Sequence, residues 1–171
     1  MTEPIAEPSD CEGLWSFSLK FYAHAGVAEA LIALQDRDNV DVNLILFALW
    51  LGISGRAGLT GAGLAAADEA VRTIRADIVA PLRALRRKLR SDPDSDVQQL
   101  REGVKRLELA AERIVQHRLA RLVGTPTAGI DPAVGRAAAY ANLALYLSPE
   151  IASSAEAAVI RNALEAFSEV H

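Results

Sequence analysis

Leu34-Gln35-Asp36-Arg37-Asp38-Asn39-Val40-Asp41-Val42-Asn43 runs directly into Leu44-Ile45-Leu46-Phe47-Ala48-Leu49-Trp50-Leu51, and the fold turns on how that junction is read. Asn39 tolerates a left-handed backbone and suits the end of a helix. Asp41 can accept hydrogen bonds from the orphan backbone donors of the helix that follows. That helix, from Asp41 to about Ser54, is apolar on nearly every side, and such helices lie in the centre of a bundle. Its apolar run, Leu44 to Ile53, is about half of the ~20 residues a bilayer span needs. A buried core helix is therefore expected, and no membrane association.

Composition agrees with a helical bundle. Of 171 residues, 51% are hydrophobic but only 5% aromatic, and alanine is the commonest. Alanine, leucine, arginine and glutamate favour helices, while the β-branched and aromatic runs of strands are missing. The length fits one domain with a proper core. The expected organisation is a disordered tail over residues 1–9 and an all-α domain over 10–171.

The remaining elements follow from caps and apolar spacing. Ser9 to Glu12 has capping-box spacing and opens a first helix carrying Leu14, Phe17 and Phe21, which Gly26 ends. Val27 to Asp36 forms the second. After the loose segment Gly55 to Gly63, a fourth helix runs from about Leu64 to Leu89, with Pro81 kinking it. The turn Ser91 to Asp96 then leads to a fifth, whose seam reads Val97, Leu100, Val104, Leu107, Ala111 and Ile114. Arg118 would fall on that seam, so it shifts by one residue to Val115, Leu119 and Leu122. Two long helices joined by a short turn make an antiparallel hairpin. Asp131-Pro132 and Ser148-Pro149 each open a further helix, the last running to about Val170. The count is about seven helices, with the hairpin beside an aromatic-rich N-terminal trio.

Trp15, Phe17, Tyr22, Gly26-Val27, Leu34-Gln35-Asp36, Asp41-Val42-Asn43, Leu46-Phe47 and Trp50-Leu51 together form a recognisable signature. They resemble the N-terminal part of a small bacterial helical family known as a domain of unknown function. The resemblance covers about residues 14–55. It implies a helical fold and a bacterial cytoplasmic setting, and it implies no activity and no role for any residue.

Several chemistries have no support. One cysteine excludes a disulfide framework and a multi-cysteine metal site, and Cys11 has no basic neighbour to activate its thiol. The acidic N-terminus does not resemble a signal peptide. The polar residues from Asp36 to Asn43 mimic a calcium loop only in part. Numbered from Asn39, Leu44 stands where the loop needs glycine and Trp50 where it needs glutamate. His24, His117 and His171 are far apart in sequence. No nucleophile elbow and no phosphate-binding loop occurs. No metal, no cofactor and no catalytic residue is expected.

Two constellations remain. The net charge of −4 divides into −7 over residues 1–71, +6 over 72–121 and −3 beyond. Arg83, Arg86, Arg87, Lys88 and Arg90 end the fourth helix, and Arg101, Lys105 and Arg106 begin the fifth, so the hairpin would bring both groups together. Such a patch can hold nucleic-acid phosphates or an acidic protein, although Asp92, Asp94, Asp96 and Glu102 oppose it. The second constellation is an aromatic-lined pocket of Trp15, Tyr22 and Trp50 with Gln35, Asp41 and Asn43 at its polar end. The leading expectation is a non-catalytic bacterial cytoplasmic interaction or adaptor protein, acting on a protein partner or as a homodimer. A small-molecule-binding protein and an RNA- or DNA-associated protein are the alternatives.

Overall fold

A computed structural model of the chain describes residues 8–56, 58–127 and 129–167, with side chains from residue 12 onward. The first helix, α1 (Pro8–Tyr22), leads through Gly26, at φ 78°, into α2 (Val27–Asp38). Asn39 is the one described non-glycine residue with positive φ, at 54°, and it turns the chain. Asp41 then caps α3 (Val42–Ile53), its carboxylate accepting from the Asn43 N–H at 2.8 Å. The junction is built as its residues predict. Every residue from Val42 to Gly52 is buried, so α3 is the central helix.

The expected start of α1 after Ser9 is corrected: the helix already includes Pro8, so Ser9 lies inside it. The tail predicted over 1–9 lies outside the described residues as far as residue 7, and so does the side chain of Cys11. The N-terminal trio is also rearranged. Although α1, α2 and α3 touch, their main partners lie elsewhere: α1 packs on α6, α2 on α9, and α3 on α7.

The long hairpin is present. Helix α4 (Gly61–Ile74) passes through a π-helical turn, Arg75–Val79, into α5 (Ala80–Lys88), and α6 (Ser95–Ala120) runs back antiparallel to it. The kink expected at Pro81 takes the form of that wider turn. Ala80 reaches back to the Arg75 carbonyl, so the ladder changes register just before the residue that has no N–H to give.

The seam predicted for α6 holds at Val104 and Ala111 and, after its one-residue shift, at Val115 and Leu119, and fails at Leu100, Leu107, Ile114 and Leu122. The helix buries Val104, Ala111, Val115 and Leu119, while Leu100, Leu107 and Ile114 are 57%, 60% and 48% exposed. The cause is polar. Glu108 and Gln116, 5% and 2% exposed, are drawn inward by partners on other helices, and the aliphatic line turns outward.

Small residues position the C-terminal layer. A Cβ on Gly52 would lie 2.1 Å from the backbone nitrogen of Ala139, so α3 and α7 (Pro132–Tyr146) touch backbone to backbone. Asn142 locks them by donating to the Ala48 carbonyl at 3.0 Å and accepting from the Leu59 N–H at 2.9 Å. The expected last helix is split into α8 (Pro149–Ala152) and α9 (Ala155–Ala166), because Ser154 caps a new start. Phe167 closes the fold against Phe17 and Phe21, at ring-centroid distances of 5.1 and 6.0 Å.

Candidate functional site

The polar end of α3 borders two chambers. The first, of about 240 Å³, lies between α1, α2, α3 and α6, with Trp15, Leu19, Tyr22, Leu46 and Leu109 as its apolar walls. Its polar lining is Ser18, Gln35, Asn43, Glu112 and Gln116. The second, of about 450 Å³, opens towards the π turn and holds Asp41, Asp68, Arg75, Arg83 and Tyr146. Gln35 and Asn43 line both. Together the chambers fall within the roughly 300–1,000 Å³ of ordinary ligand sites.

The local sequence explains how the wall is built. Asn43 is the fourth residue after the left-handed Asn39 and the second after the Asp41 cap, so the cap that orients α3 also aims its first turn at both chambers. Gln35 precedes the turn, one residue after the buried Leu34, and sits at the rim of the α2 core face. A buried chain of hydrogen bonds fixes Asn43. The Ser18 hydroxyl lies 2.8 Å from the Leu14 carbonyl and 3.0 Å from Gln116 Oε1, and Gln116 Nε2 donates to Asn43 Oδ1 at 3.0 Å. Asn43 Oδ1 thus accepts one hydrogen bond, from Gln116, and its Nδ2 makes no bond within the described residues. The Gln35 amide and the Tyr22 hydroxyl also have no hydrogen-bond partner there.

The charged groups, by contrast, are matched. Arg75 donates to Asp41 Oδ2 at 2.7 Å and pairs with Asp68 at 2.8 Å. Arg83 donates to Glu108 at 3.2 Å and to Glu112 at 2.6 Å, the latter pair crossing from one chamber to the other. Burial pushes the Glu112 carboxyl above the usual range, against the opposing pull of Arg83. For Glu108, burial acts the same way but is outweighed by the guanidiniums of Arg86 and Arg83, so its carboxyl is held low. Burial, reinforced by the nearby Glu112 carboxylate, raises the Tyr22 phenol well above its ordinary value, and burial pushes Tyr146 up to about 12. The Tyr146 oxygen accepts from the Asp41 N–H at 2.9 Å, which leaves its O–H as a donor.

Of the predicted pocket residues, Trp15, Tyr22, Gln35 and Asn43 share the first chamber, and Asp41 lies in the second. Trp50 lines neither. It is 2% exposed, with the Arg56 guanidinium 4.0 Å from the ring centroid and Gly13 against its edge. Seven residues, about two turns, beyond Asn43, its indole lies against Gly13 of α1 and away from the polar end, a placement that helical apolarity on all sides could not reveal. Sequence reading missed Ser18, Arg75, Glu112, Gln116 and Tyr146. Their one visible signal is Glu108, Glu112 and Gln116 at steps of four, a polar line beside the aliphatic one on α6.

The basic turn is largely neutralised from within. Arg83 and Arg86 meet Glu108, Arg87 pairs with Asp36 on α2, and Arg101 and Lys105 both meet Glu102. Lys88, Arg90 and Arg106 make no ion pair within the described residues. The eight side chains therefore do not form one continuous positive surface. Among the described residues no group of three His, Cys, Asp or Glu side chains could hold a metal ion. No single described helix is long and apolar enough to cross a membrane; α1 and α2 pass such a test only as a pair, bent by 104°.

Comparison with known proteins adds a family and no activity. A family model described as a protein of unknown function (DUF2390) matches residues 13–119, well beyond the N-terminal signature and through nearly all of α6. No curated protein matches the chain, and no solved structure does.

Proposed function

The chain belongs to the family described as a protein of unknown function (DUF2390), and from its geometry we propose that it is a small-molecule-binding helical protein whose ligand lies across the two chambers. One observation carries the reading. Gln35, Asn43 Nδ2 and the Tyr22 hydroxyl line the chambers without protein partners, while every guanidinium beside them is matched by a carboxylate. Unpaired neutral donors and acceptors beside paired charges favour an uncharged ligand, because a charged one would have to break an existing ion pair.

The ligand class follows from the walls. An aromatic or aliphatic body fits against Trp15, Leu19, Leu46 and Leu109. An amide, alcohol or carbonyl head then meets Gln35 and Asn43. The role proposed is binding, since the charged groups at the site, Asp41, Asp68, Arg75, Arg83 and Glu112, are tied to one another in ion pairs. We place it in the bacterial cytoplasm, in keeping with a single cysteine and no disulfide framework.

The test is a thermal-shift screen with neutral amides, alcohols and lactones that carry an apolar body, run beside the matching carboxylates and amines. Neutral compounds should raise the melting temperature through binding to the native state. Gln35→Ala should melt within about 1 °C of the parent, since the side chain makes no protein hydrogen bond, and should lose the ligand shift. Shifts confined to charged compounds, or retained in Gln35→Ala, would overturn the proposal.

A further inference from the structure

The buried chain that ends at Asn43 has one proton for two acceptors at its far end. Ser18 is 2% exposed, and its hydroxyl lies 2.8 Å from the Leu14 carbonyl and 3.0 Å from Gln116 Oε1. A hydroxyl has a single hydrogen, so it donates to one of these oxygens at a time, while its lone pairs stay free to accept. The Leu14 carbonyl lies inside α1, where the N–H four residues on already serves it. Leu14 therefore loses nothing essential when the hydroxyl turns away, and the hydroxyl is free to choose.

Two complete arrangements fit the same distances. In the first, Ser18 donates to Gln116 Oε1, Gln116 Nε2 donates to Asn43 Oδ1 at 3.0 Å, and Asn43 Nδ2 is left for the chambers that Asn43 lines. In the second, Ser18 donates to Leu14, and two oxygens would face each other across the 3.0 Å to Gln116. Turning both carboxamides over removes that conflict. Asn43 Nδ2 then donates to Gln116 Oε1, Gln116 Nε2 donates to Ser18 Oγ, and Asn43 Oδ1 is left for the chambers. The two ends of a carboxamide are close to equal in size, so both senses fill the same space. Asn43 is 7% exposed and Gln116 2%, so bulk solvent has little part in the choice. On the reading that a neutral ligand lies across the chambers, we propose that Ser18, Gln116 and Asn43 form a reversible hydrogen-bond relay, and that the site takes neutral heads of either sense, a carbonyl acceptor or an N–H donor. Gln35 needs no relay, because its amide has no protein partner to hold it in one sense. Asn43 is held by Gln116, so it meets a donor head only when the whole chain reverses. Ser18 is the positioning residue, since its hydroxyl changes direction without losing a partner.

The probes are bicyclic compounds of similar size: 1-indanone, whose head only accepts, indole, whose N–H only donates, and indene, which has no polar head. Titrated into the ¹⁵N-labelled full chain, indanone and indole should bind with dissociation constants within about tenfold of each other. Indene should bind about fivefold more weakly than either, the worth of one net hydrogen bond. In the indole complex the Gln116 side-chain NH₂ protons should show nuclear Overhauser cross-peaks to the Ser18 β-protons, and in the indanone complex these should vanish. Ser18→Ala removes the acceptor that the second arrangement needs. It leaves a buried Gln116 N–H without a partner, which proteins tolerate less well than an under-used carbonyl. Indole should therefore weaken about fivefold relative to indanone, a ratio that a general loss of stability does not move. Binding of one head alone, a single Gln116 cross-peak pattern in both complexes, or an unchanged ratio in Ser18→Ala overturns the relay and leaves the ligand reading in place. Binding of none of these compounds overturns the ligand reading, and the relay with it.

Discussion

Gly52→Ala should damage this protein far more than its chemistry implies. The added Cβ would sit 2.1 Å from the Ala139 nitrogen, 2.4 Å from its Cα and 2.7 Å from its Cβ, where ordinary contact begins at 3.4 Å. The helices α3 and α7 must then separate by more than 1 Å, and the atoms in the way are backbone that cannot rotate aside. Overpacking of this kind costs about 1–3 kcal/mol, and a backbone-on-backbone clash belongs at the upper end. Separation also stretches the two Asn142 hydrogen bonds, to Ala48 and Leu59, each a net contribution of about 1 kcal/mol. Removing a glycine from a helix returns up to about 1 kcal/mol. The net loss is about 4 kcal/mol, a large part of the ~5–15 kcal/mol of a folded domain, and equivalent to a melting temperature lower by about 8–16 °C. Urea unfolding followed by circular dichroism should show a lower midpoint at an unchanged slope. Gly103→Ala, in open space on α6, should instead gain up to about 1 kcal/mol. A loss below about 1 kcal/mol for Gly52→Ala would refute the direct contact of α3 with α7.

Other perturbations read other parts of the fold. Asp41→Ala removes the α3 cap and one of the two carboxylates on Arg75, and should cost about 2 kcal/mol by urea unfolding, whereas Asp41→Asn keeps the cap and should cost about half as much. Gln116→Leu leaves the buried Asn43 Oδ1 without a donor and should cost about 1–3 kcal/mol, with Ser18 still satisfied by Leu14. Burial raises the Glu112 carboxyl in the folded state, so the native protein loses stability as pH rises from ~4 through that folded value; Glu112→Gln should lack this fall in a pH series of unfolding curves. Glu108 behaves oppositely, because Arg86 and Arg83 outweigh its burial. Its stabilisation is present above pH ~4.3 and disappears as pH drops through its lowered value, and Glu108→Gln should abolish that acid-side loss.

The limits of the sequence are specific. Local backbone rules carried the elements: Gly26, Asn39, Asp41, Asp131 and Ser148 stand where glycine, asparagine and capping residues must, and each can be read without knowing its neighbours in space. The central place of α3 was legible from apolarity alone. What failed was rotation and partnership. The seam on α6 was assigned from aliphatic spacing, yet the buried face is decided by Glu108 and Gln116, whose partners Arg86, Ser18 and Asn43 lie far away in sequence. Packing of α3 on α7 through Gly52 and Ala139 is non-local in the same way. Of the residues grouped as a pocket, Trp15, Tyr22, Gln35 and Asn43 come together at one chamber and Asp41 lies in the other, while Trp50 lines neither, because an all-apolar helix offers no clue to which side faces which neighbour.

The most direct test is the side-chain amide spectrum of Gln35 and Asn43 in the ¹⁵N-labelled full chain, titrated with the neutral compound that stabilises it most. Saturable shifts of both amide pairs at one dissociation constant, with the amides near Leu107 unmoved, are predicted by a ligand held across the two chambers. Saturable binding that leaves both amides in place would contradict it.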